Sequence, residues 1–179
     1  MTNSFNTLTF EQIYEQHKGI VYNLALQYVQ NTEDAEEITQ DVFVSVHQSI
    51  DQFKEQSSIT TWIYRISINK SLDHIKAKKR KKRFGIFTSL FYEDSSDLRY
   101  DLPNVDHPGI QLEQKERLNH VFACINSLPD KQKTALILSK IERKSQTEIS
   151  VIMNVSPKAV ESLVQRAKAG VLKKIEWNE

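Results

Sequence analysis

Aromatic, amide and basic side chains are concentrated in one short stretch of the chain. Trp62, Arg65, Asn69 and Lys70 have spacings that place them on or near one helix, together with Tyr64. Aromatic rings can stack on unpaired nucleobases, an amide can hydrogen-bond base edges, and positive charges attract phosphates. The combination is typical of a site for single-stranded nucleic acid, while Trp62 taken alone fits a buried core position equally well.

A dense basic tract follows this stretch directly. It continues the same predicted helix beyond its apolar part, so it cannot be packed inside the protein. Such a density of positive charge predicts additional, non-specific affinity for duplex or single-stranded DNA. The tract consists of Lys76, Lys78, Lys79, Arg80, Lys81, Lys82 and Arg83.

Residues 145–170 have the pattern of a helix-turn-helix. Ser145 and Glu148 have the spacing of a capping box, which begins a short helix. Asn154, which tolerates the left-handed conformation, follows that helix, and Ser156 then caps a longer second helix. A short helix, a tight turn and a longer basic helix are typical of this motif, and two capped helices of an ordinary bundle are the alternative.

The second helix of a helix-turn-helix enters the major groove and presents its side chains to base edges. Ser and Gln can address several bases, a carboxylate can accept a hydrogen bond from cytosine, and Lys or Arg can hold phosphates. The exposed candidates are Lys158, Glu161, Ser162, Gln165, Arg166 and Lys168.

Formal charge is sorted into blocks along the 179 residues. The net charge is −7 over residues 1–60, +8 over residues 61–83, −5 over residues 84–130 and +5 over residues 131–179. Two basic blocks separated by an acidic stretch predict two contacts with a polyanion. Each contact would lie close to a surface that serves a different purpose. Solvated helix faces are the alternative explanation.

Apolar residues at helical spacing predict helices on both sides of a linker. The first helix covers Phe10–Val29, with an interruption at Gly19 left open, and the second is capped by Asn31 or Thr32. A third begins near Thr60 and runs into the basic tract.

The linker is predicted by composition. Residues 84–112 contain Gly, Pro, Ser and Asp without a sustained period, and the helical pattern then returns, broken at Leu128–Pro129. Apolar residues within Phe84–Tyr92 are unusual for a free linker and indicate either docking on a neighbouring domain or binding of a partner. The predicted fold is all-α, with a helical bundle over residues 8–83 and a helix-turn-helix four-helix domain over residues 113–179, joined by a flexible linker.

The sequence gives little support to catalysis, metal binding or disulfides. The acids of residues 33–41 have no Gly-rich phosphate loop and no partner His nearby, which argues against a nucleic-acid-processing enzyme. Cys124 is the single cysteine, interpreted as a small buried residue, and no Cys/His cluster has zinc-ligand spacing. No apolar run reaches the roughly 18 residues of a membrane span, and no secretory signal is evident. We therefore expect a cytoplasmic non-enzyme without metal or cofactor.

Three motifs in order resemble a known family. The runs Asp34–Phe43 (DAEEITQDVF) and Thr61–Lys70 (TWIYRISINK), then Leu128–Pro129 and the helix-turn-helix, resemble the sigma-70 family of bacterial RNA polymerase sigma factors. The short length and the two regions joined by a linker are similar to the extracytoplasmic-function (ECF) subfamily. A stand-alone helix-turn-helix transcriptional regulator is the alternative, although no ligand pocket or phosphoacceptor site is evident in its first domain.

The resemblance implies three contact surfaces. An acidic helix docks on the coiled coil of the largest polymerase subunit, the next helix melts and captures the minus-10 element of promoter DNA, and the helix-turn-helix reads the minus-35 duplex through the candidates given above. The implied polymerase contacts are Asp34, Glu37, Gln40, Asp41 and Phe43. The implied minus-10 contacts are Trp62, Arg65, Asn69, Lys70, Lys76 and Arg80.

The resemblance also implies further partners and one departure. The linker is implied to thread toward the polymerase active site and RNA exit path, and an anti-sigma protein is an implied partner. Many family members have basic residues at the positions of Glu161 and Leu163, so base readout here is expected to be weaker or differently directed.

Overall fold

The computed structural model describes residues 9–53, 57–88 and 112–176, and within these ranges the regular structure is helical. Seven α-helices follow one another in these ranges, in agreement with the all-α prediction. Among them, no helix is long and apolar enough to cross a membrane.

Helices α1 (Phe10–Val29) and α2 (Thr32–Ser49) form the first antiparallel pair. Thr9 caps α1, and the Asn31 side chain accepts a 2.8 Å hydrogen bond from the Asp34 backbone N–H to cap α2. The interruption left open at Gly19 does not occur. A Cβ at Gly19 would have open space around it, so this residue lies in a regular, exposed turn of α1.

Helix α3 (Ile59–Thr88) packs across α1 and α2 and closes the N-terminal bundle. The core of this bundle is aliphatic and includes Val21, Ile38, Val42 and Ile63, each at most 1 % exposed. Burial of such side chains stabilises the fold by roughly 1.5–3 kcal/mol for each residue. The basic side chains from Lys76 to Lys82 lie outside this core and are exposed, as predicted.

Helix α3 continues to Thr88, five residues into the predicted linker. Most of the linker, and with it the second half of Phe84–Tyr92, lies outside the described residues. The predicted boundaries of the two domains remain predictions.

The C-terminal domain consists of four helices. They are α4 (Leu112–Asn126), α5 (Asp130–Leu136), α6 (Gln146–Met153) and α7 (Pro157–Glu176). Pro129, whose fixed φ of −55° suits a helix start, precedes α5 and separates it from α4. Helix α5 continues into a π-helical turn, Ile137–Ile141, before the chain turns toward α6.

The two helical domains share part of their core. Leu24 and Tyr28 of α1 and Ile68 of α3 belong to the same buried cluster as Leu138 and Ile149 of the C-terminal domain. The packing of one domain on the other therefore uses helix faces of the bundle itself.

Cys124 is 5 % exposed, which confirms its interpretation as a buried packing residue.

Candidate nucleic-acid and polymerase interfaces

The capping box of α6 forms as predicted. The Ser145 Oγ accepts a 3.2 Å hydrogen bond from the Glu148 backbone N–H, and the Glu148 Oε2 accepts a 2.8 Å bond from the Ser145 N–H. The Ser145 hydroxyl also donates a 2.7 Å bond to Glu148 Oε2, and this bond, together with the one from the Ser145 N–H, lowers the pKa of the Glu148 carboxyl. The first helix of the motif thus begins at a fixed residue.

The turn between α6 and α7 also has the predicted conformation. Asn154 adopts the left-handed conformation with φ 52° and ψ 51°, and the Ser156 Oγ accepts a 3.2 Å bond from the Ala159 N–H. The Gln146 side chain donates a 2.7 Å bond to the Pro157 carbonyl, which ties the start of α6 to the start of α7. Together these bonds fix the angle at which α7 leaves the turn.

The outer face of α7 carries the predicted minus-35 residues. Five of the six are exposed, while Ser162 is half-buried and its hydroxyl donates a 3.1 Å bond to the Lys158 carbonyl. Leu163 is half-buried as well, so it contributes less to the outer face than Glu161 does. The exposed set is Lys158, Glu161, Gln165, Arg166 and Lys168.

The predicted minus-10 residues of α3 have different surroundings. Trp62 packs on Phe53, with ring centroids 5.1 Å apart, and against the core of the N-terminal bundle. Asn69 is exposed and Lys70 is half-buried, whereas Lys76 and Arg80 are exposed in the basic tract. Trp62 is therefore partly a packing residue, which was the alternative left open for it.

Arg65 contacts the C-terminal domain in this conformation. Its Nη2 donates a 2.6 Å bond to the Val151 carbonyl and its Nε a 3.2 Å bond to the Ile152 carbonyl, both at the end of α6. A helix C-terminus carries partial negative charge, which suits a guanidinium. Arg65 and Asn69 line one groove with Asn154 and other residues of the helix-turn-helix.

The acidic face of α2 is open to solvent. Glu37, Gln40 and Asp41 are exposed there. Phe43 differs from its prediction as a polymerase contact: it is 4 % exposed and its ring lies 4.7 Å from that of Tyr14, so it supports this face from within the core.

Asp34, the fifth predicted polymerase residue, holds α2 and α3 together. Its carboxylate is 3.3 Å from His74 Nε2 and 2.5 Å from Lys78 Nζ. One ligand atom from each of Asp34, Glu37 and His74 lies within 4.8 Å of the others, a grouping that the sequence pattern does not predict. Within this grouping the Asp34 carboxylate already forms an ion pair with the Lys78 ammonium.

The polar contacts between the two domains were not predicted from the sequence. The Glu142 carboxylate accepts bonds from Tyr64 OH at 2.7 Å and from Gln27 Nε2 at 2.6 Å. The Tyr28 hydroxyl donates a 2.8 Å bond to Thr134 Oγ1. The partners are 78 to 115 positions apart, so no local pattern could have paired them.

Family models match both parts of the chain. The model of Sigma-70 region 2 matches residues 13–81, which contain α2 and most of α1 and α3. The model of Sigma-70 region 4 matches residues 120–169, which contain α5, α6 and the first part of α7.

Curated relatives match over nearly the whole chain. The ECF RNA polymerase sigma-E factor of Haemophilus influenzae is 28 % identical over 93 % of this chain and 87 % of its own length. The ECF RNA polymerase sigma factor SigW of Bacillus subtilis is 28 % identical over 93 % of this chain and 88 % of its own length. The sigma-E factor of Escherichia coli is 27 % identical over 97 % of this chain and 87 % of its own length.

Solved structures have the same fold. CnrH, in complex with the cytosolic domain of CnrY, is similar with a TM-score of 0.63 and 20 % identity, over 95 % of this chain and 89 % of that one. The sigma factor RpoE of Bartonella quintana, in complex with the anti-sigma factor NepR, has a TM-score of 0.62 and 18 % identity, over 95 % and 98 % of the two chains. With both regions matched in order and relatives aligned over most of their length, the chain belongs to the sigma-70 family of RNA polymerase sigma factors, in its ECF group.

Proposed function

We propose that the protein is the promoter-specificity subunit of a bacterial RNA polymerase, with no catalytic activity of its own. It works in the cytoplasm, where it binds core polymerase through the N-terminal domain and reads two promoter elements with its two domains. The observation that carries the proposal is the order of the parts: an open acidic face on α2, the aromatic and amide residues on α3, and a capped helix-turn-helix near the C-terminus.

Polymerase binding is assigned to the acidic face of α2. Glu37, Gln40 and Asp41 are exposed side by side on successive turns of one helix, which suits a basic or mixed helical surface such as the coiled coil of the largest subunit. Asp34 stabilises this face through its ion pair with Lys78 and its contact with His74, both on α3. Phe43 packs beneath the face and keeps α2 in place.

Recognition of the minus-10 element is assigned to α3. Asn69 offers an exposed amide for base edges, Trp62 offers the exposed part of an aromatic ring, and Arg65 and Lys70 lie beside them. Lys76 and Arg80 extend the surface along the basic tract for phosphate contacts. Capture of an unstacked base returns about 1–3 kcal/mol through stacking, which is comparable to the cost of unstacking it.

Recognition of the minus-35 element is assigned to the outer face of α7. Gln165 and Ser162 would read base edges, and Lys158, Arg166 and Lys168 would hold phosphates on either side. Glu161 adds a carboxylate to this face. The carboxylate can accept a hydrogen bond from cytosine, and its negative charge repels nearby phosphates.

The two readers act together because one chain joins them. We propose residues 8–83 and 113–179 as the two domains and residues 84–112 as the linker that spans the polymerase between them. Tethering makes the second DNA contact effectively intramolecular, so two weak sites give a specific complex.

An anti-sigma protein is the proposed regulatory partner. The structure of RpoE contains the anti-sigma factor NepR, and that of CnrH contains the cytosolic domain of CnrY. The similarity of this chain to both sigma factors supports a partner of the same kind, bound to one or both domains.

Transcription of a genomic fragment library by purified bacterial core polymerase, with and without this protein, tests the proposal. New RNA starts that share two spaced upstream motifs are expected, and they would also reveal the promoter preference. Duplex binding by the protein alone without any new start would instead favour a stand-alone regulator. The control is the same reaction with a variant in which Gln40 and Asp41 are both alanine.

A further inference from the structure

A cavity of about 280 Å³ lies between the two domains, beside the basic end of α3. Much of its wall is apolar and includes Val29, Ile75 and Ala123. It shares no lining residue with the groove that contains Arg65 and Asn69. A mostly apolar cavity with a few polar groups is the usual form of a small-molecule site, and this volume suits a small ligand.

Lys133 of α5 brings a buried positive charge to the cavity. The residue is 2 % exposed, and its ammonium lies 5.0 Å from the centre of the Tyr28 ring. The part of the chain that the structure describes offers this ammonium neither an ion pair nor a hydrogen bond. Burial lowers the pKa of the ammonium to about 8, so it is still mostly protonated at pH 7. Because buried charges in proteins are usually paired, Lys133 is suited to an anionic ligand.

Two further lysines, both from the basic tract, line the same cavity. Lys79 and Lys82 are exposed and lie three positions apart on α3, so they share one face of that helix. The positive charge of Lys79 also lowers the pKa of Lys133, because the two lysines lie near each other. Among the described residues, neither Lys79 nor Lys82 forms an ion pair. Three positive side chains from two domains therefore meet at this cavity.

The carboxylates near the cavity are paired with other groups. Asp34, the acidic residue among those described in the lining, forms an ion pair with Lys78. Asp130 raises the pKa of Lys133, but its carboxylate is half exposed and lies 3.4 Å from Lys76 Nζ. The charge of the three lysines is therefore left for an anion. A phosphate group, with nearly two negative charges at pH 7, fits it better than a carboxylate.

A buried amide oxygen supplies a second kind of polar contact. Asn126, the last residue of α4, lines the cavity. Its Oδ1 is buried and accepts no hydrogen bond from the described residues. Because buried polar atoms usually have a partner, this oxygen is suited to an N–H or O–H donor of a ligand.

We infer that the cavity binds a small organic phosphate of the kind and size of a nucleoside monophosphate, which combines a phosphate, a largely apolar body and N–H donors. The phosphate lies against Lys79, Lys82 and Lys133. The organic part lies on the apolar wall and donates a hydrogen bond to Asn126 Oδ1. The inference does not depend on the proposed function, since neither polymerase nor promoter DNA takes part in it.

Isothermal titration calorimetry of the full chain with adenosine monophosphate (AMP), and with inorganic phosphate as a second probe, tests the inference. Lys133→Met is compared with Lys131→Met, which removes the same charge from an exposed position of α5 outside the cavity. We expect Lys133→Met to weaken the binding of both probes about tenfold, the factor carried by one hydrogen bond to a charged group, and Lys131→Met to change neither. Methionine fills similar space without a buried charge, so the fold is expected to be kept.

A second pair of variants tests the contact with the organic part. Asn126→Leu removes the acceptor in the cavity, whereas Asn119→Leu removes another buried amide oxygen of α4 that lies outside it and accepts no hydrogen bond from the described residues. Asn126→Leu is expected to weaken the binding of AMP several-fold and to leave inorganic phosphate unchanged. Asn119→Leu is expected to leave both affinities as they are.

Three results would overturn the inference. The first is a wild-type protein that binds neither probe at millimolar concentrations, and the second is an equal affinity of Lys133→Met and Lys131→Met for AMP. The third is inorganic phosphate that binds as tightly as AMP with no effect of Asn126→Leu, because the cavity would then hold free phosphate only.

Two further controls keep the test decisive. If circular dichroism shows that Lys133→Met is unfolded, Lys82→Met replaces it and must weaken the binding of both probes, while its exposed neighbour Lys81→Met must not. A single-stranded oligonucleotide without a terminal phosphate is titrated as well. If Lys133→Met weakens its binding as much as that of AMP, the lysines serve a nucleic-acid backbone and the inference fails.

Discussion

The hydroxyl of Tyr28 in α1 donates a hydrogen bond to the Oγ1 of Thr134 in α5, 2.8 Å away and 106 positions along the chain. Both residues are buried, so neither group has water as an alternative partner. The bond therefore couples the stability of one domain to that of the other. Two independent domains would show no such coupling.

A double-mutant cycle measures that connection. Tyr28→Phe and Thr134→Val each leave one buried polar group without its partner, whereas the double variant leaves neither, so the two losses should not add. We expect a coupling of about 1 kcal/mol in the free energy of unfolding, measured by urea denaturation. Strictly additive single effects would contradict a direct bond.

Burial of Lys133 predicts an unusual pH dependence. Desolvation lowers the pKa of its ammonium from 10.5 to about 8. The nearby Asp130 carboxylate raises this pKa, and the positive charge of Lys79 lowers it further. The folded protein therefore binds fewer protons than the unfolded chain between pH 8 and 10.5, and this group's contribution to stability rises with pH across that window. Burial raises the pKa values of Tyr28 and Tyr64, so above about pH 10 the folded protein keeps protons that the unfolded chain loses. Their contribution to stability therefore falls with pH there.

Lys133→Met checks this argument directly. Methionine fills similar space without a charge, so we expect the free energy of unfolding at pH 7 to increase by about 1–3 kcal/mol. The rise between pH 8 and 10 should disappear in this variant. Denaturant midpoints across the pH range, with the exposed Lys131→Met as the control, measure both effects. A destabilised Lys133→Met would mean that the ammonium is stabilised by its surroundings.

The cap of the helix-turn-helix is expected to show its own energetic signature. Ser145→Ala removes the acceptor of the Glu148 N–H and should lower stability by about 0.5–2 kcal/mol, whereas Ser145→Gly should cost only a few tenths, because glycine leaves the backbone accessible to water. Thermal unfolding of the two variants tests this order. Equal losses would contradict this order, because both variants lack the side-chain acceptor and differ in how well water reaches the backbone at the start of α6.

Asn69→Ala is expected to separate promoter melting from polymerase binding. The exposed amide lies outside the core, so its loss should leave folding and polymerase affinity unchanged and reduce open-complex formation about tenfold, as expected for one lost base contact. Permanganate footprinting on a promoter found in the library experiment gives the measurement. Asp73→Asn, an exposed change one turn further along α3, is the control. Equal loss of melting and polymerase affinity would assign Asn69 to folding.

Asp41→Asn is expected to have the opposite effect. Removing a charge from the acidic face should weaken the complex with core polymerase several-fold, most strongly at low salt, without changing the stability of the free protein. Competition with a reference sigma factor measures the affinity. Glu36→Gln, an exposed change on the same helix, is the control, and an equal effect there would point to general attraction by charge.

Local chemistry explains which features could be predicted from the sequence. The capping box at Ser145, the left-handed Asn154 and the cap at Ser156 depend on neighbours within three or four positions, and all three were predicted correctly. The order of helices followed from apolar spacing for the same reason. Interruption at Gly19 was not required, because the rest of α1 packs well enough to hold one glycine.

Tertiary contacts explain what could not be predicted. Phe43 was expected on the polymerase face from the family resemblance, but its ring fills space beside Tyr14 that only the packing of α1 on α2 creates. Arg65 has the spacing of a nucleic-acid contact. Its neighbours in the sequence do not predict its hydrogen bond to the Val151 carbonyl, 86 positions away. The role of Glu142 depends likewise on partners in two other helices.

The double use of Arg65 limits how promoter preference could evolve. If one guanidinium both bonds the α6 carbonyls and meets DNA, a substitution of Arg65 that changes base choice also changes the contact between the two domains. New specificities would then arise more readily through α7, whose outer side chains take no part in the contact at Arg65, than through α3.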